Sequence, residues 1–193
     1  NNTPVTIAAV IAEPVSIPGG ACVPGNEYWP MLREICDKYG VLLIDDEVIC
    51  GFGRTGKMFA IEHWNVVPDI MTVAKGIVSS YIPSGATIVT EKVATQFTGE
   101  GNHLPHLFTF GGHPVSASAS LKNIEILENE GLVKNSAGVG RYFKSHLENL
   151  KDNHPSIGDV RGLGLLLAIE LVSNRKTKAK FPKDLNIAAR LNE

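Results

Sequence analysis

The stretch LLIDDEV at residues 42–48 is a short apolar run that leads abruptly into three acidic residues, and the stretch IMTVAKG at residues 70–76 leads into a lysine. A strand buried on both faces of a parallel sheet has this pattern when its carboxyl end opens into a ligand crevice. The first run delivers carboxylates to the crevice and the second delivers an amine. We therefore expect an α/β protein with a mostly parallel sheet, in which Asp46 and Lys75 lie on neighbouring strand ends.

The distribution of apolar residues predicts the elements around these two runs. Strands are expected where apolar residues are nearly continuous, and helices where they recur every three or four positions. The stretch 155–164 contains three glycines and a proline, which predicts a turn-rich hinge. Further strands are predicted at 5–12, 82–90 and 165–171, and helices at 27–39, 91–97, 114–129 and 132–150.

Three further motifs accompany the two strand ends. GFGRTG occupies residues 51–56, Pro68-Asp69 introduces the lysine run, and FTFGGHP occupies residues 108–114. A charged strand end alone is common in α/β proteins, but the ordered combination of motifs is specific. From about Val10 to Leu171, the chain resembles the class III, or omega, aminotransferases of the fold-type I family that depends on pyridoxal 5′-phosphate (PLP).

The resemblance implies a three-layer α/β/α large domain of the PLP-dependent transferases, followed by the start of a small C-terminal α+β domain. Residues 1–154 would form part of the PLP-binding large domain, and residues 155–193 the beginning of the small domain. In this family the phosphate-binding cup, the aromatic residue stacked on PLP and an arginine for the substrate carboxylate lie outside the matched segment. We therefore expect the chain to be the middle of a larger enzyme.

The resemblance also implies the main cofactor contacts. Lys75 would form a Schiff base with the PLP aldehyde and then carry a proton, which makes it the expected catalytic residue. Asp46 would accept a hydrogen bond from the protonated pyridine nitrogen, and Val48 would pack on one face of the ring. Asp45 and Glu47 alternate to the other side of the strand, so we expect them to be structural.

Two more residues are expected at the cofactor by resemblance. Thr109 matches the threonine that reaches the PLP phosphate of the neighbouring protomer, which implies a homodimer with shared active sites. Glu13 matches a glutamate at the end of an early strand. The γ-aminobutyrate and ornithine aminotransferases carry a second glutamate five residues later, where this chain has Pro18. The resemblance thus favours transfer from an omega-amine, a β-amino acid or taurine to a keto acid such as pyruvate.

Other interpretations of the same residues are open. An aminomutase of the glutamate-semialdehyde type uses the same lysine and aspartate with PLP, and a truncated chain could keep the fold as a non-catalytic scaffold. Residues 51–57 match a phosphate-binding P-loop, but Met58 cannot supply the hydroxyl that binds Mg²⁺. His103 and His106 lack a partnered carboxylate motif, so no metal site is expected.

The composition limits the functional class. With 193 residues, 44% of them hydrophobic, and a net charge of −2, the chain can bury a core and has no basic surplus for nucleic acid. Its apolar runs are too short for a membrane span. Cys22, Cys36 and Cys50 are odd in number and lack metal-type spacing, which predicts reduced thiols in a cytoplasmic protein.

Overall fold

The computed structural model describes residues 7–191, and a four-stranded sheet in the order β1-β2-β3-β4 is its main feature. The strands are β1 (Ala9–Ala12), β2 (Leu42–Asp46), β3 (Ile70–Ala74) and β4 (Gly85–Val89). The first three strands are parallel, and β4 is antiparallel to β3. The predicted α/β class with a mostly parallel sheet is therefore confirmed. The first two residues of the strand predicted at 5–12 lie outside the described residues.

Five α-helices accompany the sheet in the described part of the chain, and four of them follow the predicted segments. Gly40 ends the first helix in the left-handed region, with φ 65°. The segment predicted as one helix at 91–97 is a short α-helix that continues as a 3₁₀ turn over Thr95–Phe97. The helices are α1 (Tyr28–Tyr39), α2 (Glu91–Ala94), α3 (Pro114–Asn129), α4 (Leu132–Asn153) and α5 (Ile187–Arg190).

The predicted hinge at 155–164 is wrong, because most of it forms a strand. β5 (Ile157–Leu163) pairs antiparallel with β6 (Leu166–Leu171). The glycines that suggested a hinge instead allow close packing, since a Cβ at Gly162 would lie 2.0 Å from the Leu166 carbonyl oxygen. The domain boundary between residues 154 and 155 stays a prediction.

One face of the sheet carries the core. Alternation places Leu43 and Asp45 of β2 on the same face as Met71 and Val73 of β3, because Asp45 and Met71 are register partners. Helix α1 packs near Leu43, and α3 packs against Val73. The side chains that these helices contribute to the two core clusters include Trp29 and Cys36 from α1, and Ala119, Ile124 and Leu127 from α3.

The opposite face of the sheet is only partly covered by the described residues. Ile11 of β1 lies on this face and is 61% exposed. Asp46 shares the face, because it follows Asp45 by one position in an alternating strand. The predicted separation of Asp46 from Asp45 and Glu47 is confirmed, since the latter two are fully buried while Asp46 is half-buried.

Asp69 connects the beginnings of β2 and β3. Its Oδ2 accepts hydrogen bonds from the Leu43 N–H and the Arg33 guanidinium, both at 2.8 Å, and its own N–H donates to the Leu43 carbonyl at 2.9 Å. Burial alone would raise the pKa of Asp69, but the bonds from Leu43 and Arg33 outweigh it and hold this pKa below its ordinary value. Asp69 therefore fixes how β3, the strand that leads to Lys75 (the lysine strand), lies beside β2, the strand that ends in Asp45 and Asp46 (the acidic strand).

We predict that Asp69→Ala destabilises the protein by about 2–3 kcal/mol, because it leaves the buried Leu43 N–H without its acceptor and Arg33 without its buried partner. Asp37→Ala is the matched control, since Asp37 bonds to the same guanidinium at 2.8 Å but its side chain is 65% exposed. The control should cost less than about 1 kcal/mol. Equal shifts of the urea midpoint for the two variants would contradict this role of Asp69.

Candidate active site

The carboxylate of Asp46 is anchored at one oxygen and open at the other. Its Oδ1 accepts hydrogen bonds from the Val48 N–H at 3.1 Å and from the Thr72 hydroxyl at 3.2 Å. Thr72 is also its register partner on β3. Within residues 7–191, Oδ2 accepts no hydrogen bond. The strand and the following turn thus fix the carboxylate while leaving one oxygen for a cationic N–H donor.

Lys75 lies just beyond the end of β3, at the same edge of the sheet. It begins a single 3₁₀ turn over Lys75–Ile77, here called the lysine turn, and its φ of 43° is in the left-handed region. The side chain is exposed, and its amine makes no hydrogen bond or ion pair with the residues that the structure describes. Because β2 and β3 are parallel, the amine and the open oxygen of Asp46 share one end of the sheet.

The GFGRTG loop packs beneath the lysine turn. A Cβ at Gly76 would lie 3.0 Å from the Cβ of Phe52 and 3.2 Å from the Gly51 carbonyl oxygen, so a side chain at this position would require its neighbours to shift by a few tenths of an ångström. Phe52 is buried and packs edge-on against Phe59, with ring centroids 5.5 Å apart. The loop therefore packs against the lysine turn at Gly76.

The glycines of this loop do not form a P-loop. A Cβ at Gly56 would lie 2.9 Å from Ala137 of α4, and Gly53 lies close to Val133 of the same helix. The next element is a 3₁₀ helix at Ala60–Trp64, whereas a P-loop leads directly into an α-helix whose N-terminus faces the phosphates. The close contacts with α4 explain the glycine spacing.

Asp45 and Glu47 form a buried acidic pair on the core side of β2. Both side chains are fully buried. Glu47 Oε1 accepts the Ile61 N–H at 2.8 Å, but Glu47 Oε2 and both oxygens of Asp45 have no hydrogen-bond partner among the described residues. Burial, and for Asp45 also the neighbouring negative charge of Glu47, raises the pKa of each carboxyl well above its ordinary value. The two buried carboxyls therefore hold protons to a higher pH than ordinary carboxyls do. Asp46, on the other face of the strand, lies in the crevice.

Glu13 directly follows β1, whose last residue, Ala12, is the register partner of Asp45 on β2. Its Oε2 accepts the Ile17 N–H at 3.5 Å. Glu13 leads into the segment at residues 15–25, here called the crevice loop, in which Ser16 and Cys22 form an antiparallel bridge.

Arg161 of β5 bonds to this crevice loop. Its Nε donates to the Gly20 carbonyl oxygen at 2.6 Å, while its Nη1 donates to Asp159 and Glu170 at 2.9 and 2.6 Å. The buried thiol of Cys50 donates to the carbonyl of Val15 at 3.3 Å, and burial raises its pKa to about 12. These hydrogen bonds fix the position of the crevice loop.

The structure brings Glu13, Asp46, Val48 and Lys75 to one edge of the sheet but does not join Thr109 to them. Thr109 is exposed in a turn at 108–112. Next to it, a cleft of about 960 Å³ is lined by apolar residues from that turn, α3 and the β3–β4 connection, including Phe108, Phe110, Ile82, Pro83 and Leu121.

The residues described in the structure contain no group of three or more side chains suited to a metal ion. His103 and His106 are exposed. All three cysteines are free thiols. Within the same part of the chain, no helix is long and apolar enough to cross a bilayer.

Thr72 is a site residue that the sequence reasoning missed. The sequence signal was a hydroxyl residue within the strand that leads to Lys75, but only the register, in which Thr72 pairs with Asp46, places the two side chains on one face. In the sequence Asp69 stands out only as part of the Pro68-Asp69 motif, and its role in fixing the strand register depends on Arg33 of α1, which sequence spacing does not reveal.

Comparison with known proteins identifies close relatives. The family model described as aminotransferase class-III matches residues 1–191. The chain is 44% identical to the putrescine–pyruvate aminotransferase of Pseudomonas aeruginosa over 91% of this chain and 38% of that protein. It is 48% identical to the taurine–pyruvate aminotransferase of Bilophila wadsworthia over 91% of this chain and 39% of that protein.

Solved structures of aminotransferases have the same fold as the matched part of the chain. An aminotransferase from Bacillus anthracis superposes with a TM-score of 0.94 at 45% identity, covering 98% of this chain and 42% of that one. An (S)-enantioselective omega-transaminase from Thermomicrobium roseum gives a TM-score of 0.90 at 43% identity, covering 95% of this chain and 41% of that one. The chain spans about two-fifths of the length of the relatives that it matches.

The buried acidic pair predicts a pH dependence of stability. Because the folded-state pKa values are raised, the folded protein binds more protons than the unfolded chain, and the free energy of unfolding falls as the pH rises from about 4 through the raised values. Asp45→Asn removes one titrating group and should make this fall shallower. Urea midpoints measured between pH 5 and 8 check the slope, with Asp152→Asn on the exposed face of α4 as the control. An unchanged slope in Asp45→Asn would contradict the role of the pair.

Proposed function

The chain belongs to the class-III aminotransferases, and from this premise we propose that the whole protein transfers an amino group from a small amine donor to a keto acid, with PLP as cofactor. The observation that carries the proposal is that an anchored carboxylate, Asp46, and the amine of Lys75 lie at the same edge of the sheet. One group is an acceptor for a cationic ring nitrogen, and the other is a nucleophile for an aldehyde.

The donor set in this crevice fits PLP. Asp46 has one carboxylate oxygen left for the pyridine N–H, and the bonds from Thr72 and Val48 prevent the carboxylate from rotating away. The buried Asp45 and Glu47 do not compete for that nitrogen, because they lie on the core side of the strand. When bound, PLP supplies an electron sink that stabilises negative charge at the substrate Cα.

Other residues around the crevice have separate roles in the proposed reaction. Lys75 Nζ would take the proton from the substrate Cα and return it at C4′ of the cofactor. Val48 is half-buried on the turn after β2, where it would pack on one face of the ring. Glu13 supplies a further carboxylate at the carboxyl end of β1, where the crevice loop begins.

Thr109 contributes to the site of a second protomer in this proposal. Its turn is exposed and flanked by Phe108 and Phe110, which are 65% and 70% exposed. An exposed turn with two large apolar side chains suits burial against a second copy of the chain. The threonine hydroxyl then donates to the phosphate of the partner's PLP, and the functional unit is a homodimer.

The acceptor is pyruvate in this proposal, and the donor is an omega-amine or a β-amino acid. Two relatives above 40% identity are named for putrescine or taurine as donor and pyruvate as acceptor. Pro18 stands in the crevice loop where a second glutamate would favour γ-aminobutyrate or ornithine. We place the enzyme in the cytoplasm, which agrees with its three free thiols.

The whole enzyme should attach PLP to Lys75. Lys75 Nζ would bond to the aldehyde carbon with loss of water, and hydride from borohydride would then make the link permanent. Peptide mass spectrometry should find the reduced label on Lys75, and Lys75→Ala should abolish both the label and amino transfer. Lys57→Ala, which removes an exposed lysine of the adjoining loop, should keep both. A label on another lysine would overturn the assignment.

Thr109 predicts that PLP binding and assembly are linked. Affinity for PLP should fall when the enzyme is diluted into monomers, because each monomer loses a phosphate donor. Thr109→Val should weaken PLP binding about tenfold at concentrations that keep the dimer, whereas Thr98→Val, at another exposed threonine, should not. Titrations at several protein concentrations measure this. Tight binding independent of concentration would show that each site is complete within one chain.

A further inference from the structure

One face of α3 carries a stripe of polar side chains against the connection between β3 and β4. The stripe consists of Ser116, Ser120 and Asn123, whose spacing of four and three residues places them on one helical face. The Ser116 hydroxyl donates to the Pro83 carbonyl at 3.2 Å, and the hydroxyls of Ser120 and Ser84 lie 3.3 Å apart. The stripe thus follows the connection back toward the lysine turn.

Asn123, at the end of this stripe, bonds directly to the backbone around Lys75. Its Nδ2 donates to the carbonyl oxygens of Gly76 at 2.9 Å and Ile77 at 3.1 Å, and its Oδ1 accepts the Ser79 hydroxyl at 2.8 Å. Both N–H donors and the acceptor are therefore in use. The opposite orientation of the amide would place its oxygen against two carbonyl oxygens, so these partners also fix the orientation.

The backbone that Asn123 holds is strained. Lys75, Ser79 and Ser80 all lie in the left-handed region, with φ of 43°, 47° and 67°, although none of them is glycine. Such residues are uncommon and persist only where the surrounding structure fixes them. Three of them within six residues mean that the segment would relax if its contacts were removed.

Two contacts hold the lysine turn. Phe52 and Gly51 close against Gly76 on one side, and Asn123 bonds to the carbonyls on the other. Neighbouring positions of α3, such as Ile124 and Leu127, meet the same region with apolar side chains in the core cluster. Asn123 differs from them because it bonds to the two carbonyls that directly follow the lysine.

We propose that Asn123 is a positioning residue for Lys75, which holds the left-handed lysine turn so that the amine stays opposite Asp46. The role in catalysis rests on the proposed function, whereas the effect on the backbone does not. Without these bonds, Lys75 relaxes toward an ordinary φ, and its amine leaves the edge of the sheet where the carboxylate lies. Asn123 touches neither substrate nor cofactor and acts only through the lysine.

The first test needs no cofactor. Asn123→Asp keeps the size and the acceptor for Ser79 but replaces two donors with an oxygen facing two carbonyls, and Asn123→Ala removes the bonds without repulsion. Amide hydrogen exchange of the peptide 75–81 in the whole enzyme should become about tenfold faster or more in both variants, while peptides from β2 stay unchanged. Asn135→Asp, the same substitution at an exposed position of α4, is the control.

The second test measures the lysine itself. The rate at which PLP becomes attached to Lys75, trapped with borohydride at successive times, should fall at least about tenfold in Asn123→Asp and Asn123→Ala. In steady state, kcat should fall by a similar factor while KM for the amine donor changes less than about twofold, because Asn123 does not contact the donor. Ser120→Ala, one turn away on the same stripe, should leave both values near those of the wild type.

The outcomes separate this proposal from the proposed function. Faster exchange at 75–81 together with slower attachment supports the positioning role. Wild-type exchange and attachment rates in both Asn123 variants would overturn it. If the wild-type enzyme attaches no PLP at Lys75, the proposed function fails, and the exchange measurement still decides whether Asn123 holds the turn. A variant that loses secondary structure by circular dichroism is replaced by Ser79→Ala, which removes one bond and should show a smaller effect in the same direction.

Discussion

Asp69 fixes how the lysine strand lies beside the acidic strand, because its carboxylate bonds to the Leu43 amide and to Arg33 of α1 at the start of both strands. The alternation of side chains makes this register decisive. A slip of one residue would turn Asp46 into the core and bring Asp45 to the crevice. The three contacts of Asp69 therefore determine which carboxylate faces the ligand and how far along the edge the lysine turn begins.

Two energetically unfavourable features of the structure lie at this edge of the sheet. Lys75 is held in a left-handed conformation, and Asp45 and Glu47 are buried with three oxygens that lack partners among residues 7–191. Both features cost free energy and are typical of functional sites. The packing of Phe52 beneath the turn and the bonds from Asn123 offset the first cost. Protonation of the acidic pair relieves the second.

The sequence alone predicts the sheet and the strand ends well, because buried parallel strands have a strong apolar signal and their charged ends stand out. The cofactor roles of Asp46, Lys75 and Thr109 come from family resemblance, and the role of Thr109 depends on a second protomer, which one chain cannot display. The hinge predicted at 155–164 is wrong, because Gly158 and Gly162 allow close strand packing instead of a bend. Asn123 could not be found from sequence, since its partners are more than forty residues away.

The central claim is that Asp46 is the carboxylate presented to the cofactor, with one oxygen fixed by the strand and the other left for the ring. A crystal structure of the whole enzyme with PLP bound tests this most directly. We predict that Asp46 Oδ2 lies about 2.6–3.0 Å from the pyridine nitrogen. Oδ1 should keep its bonds to Val48 and Thr72, as it has here. A pyridine nitrogen that instead contacts Asp45, Glu47 or solvent would contradict the account.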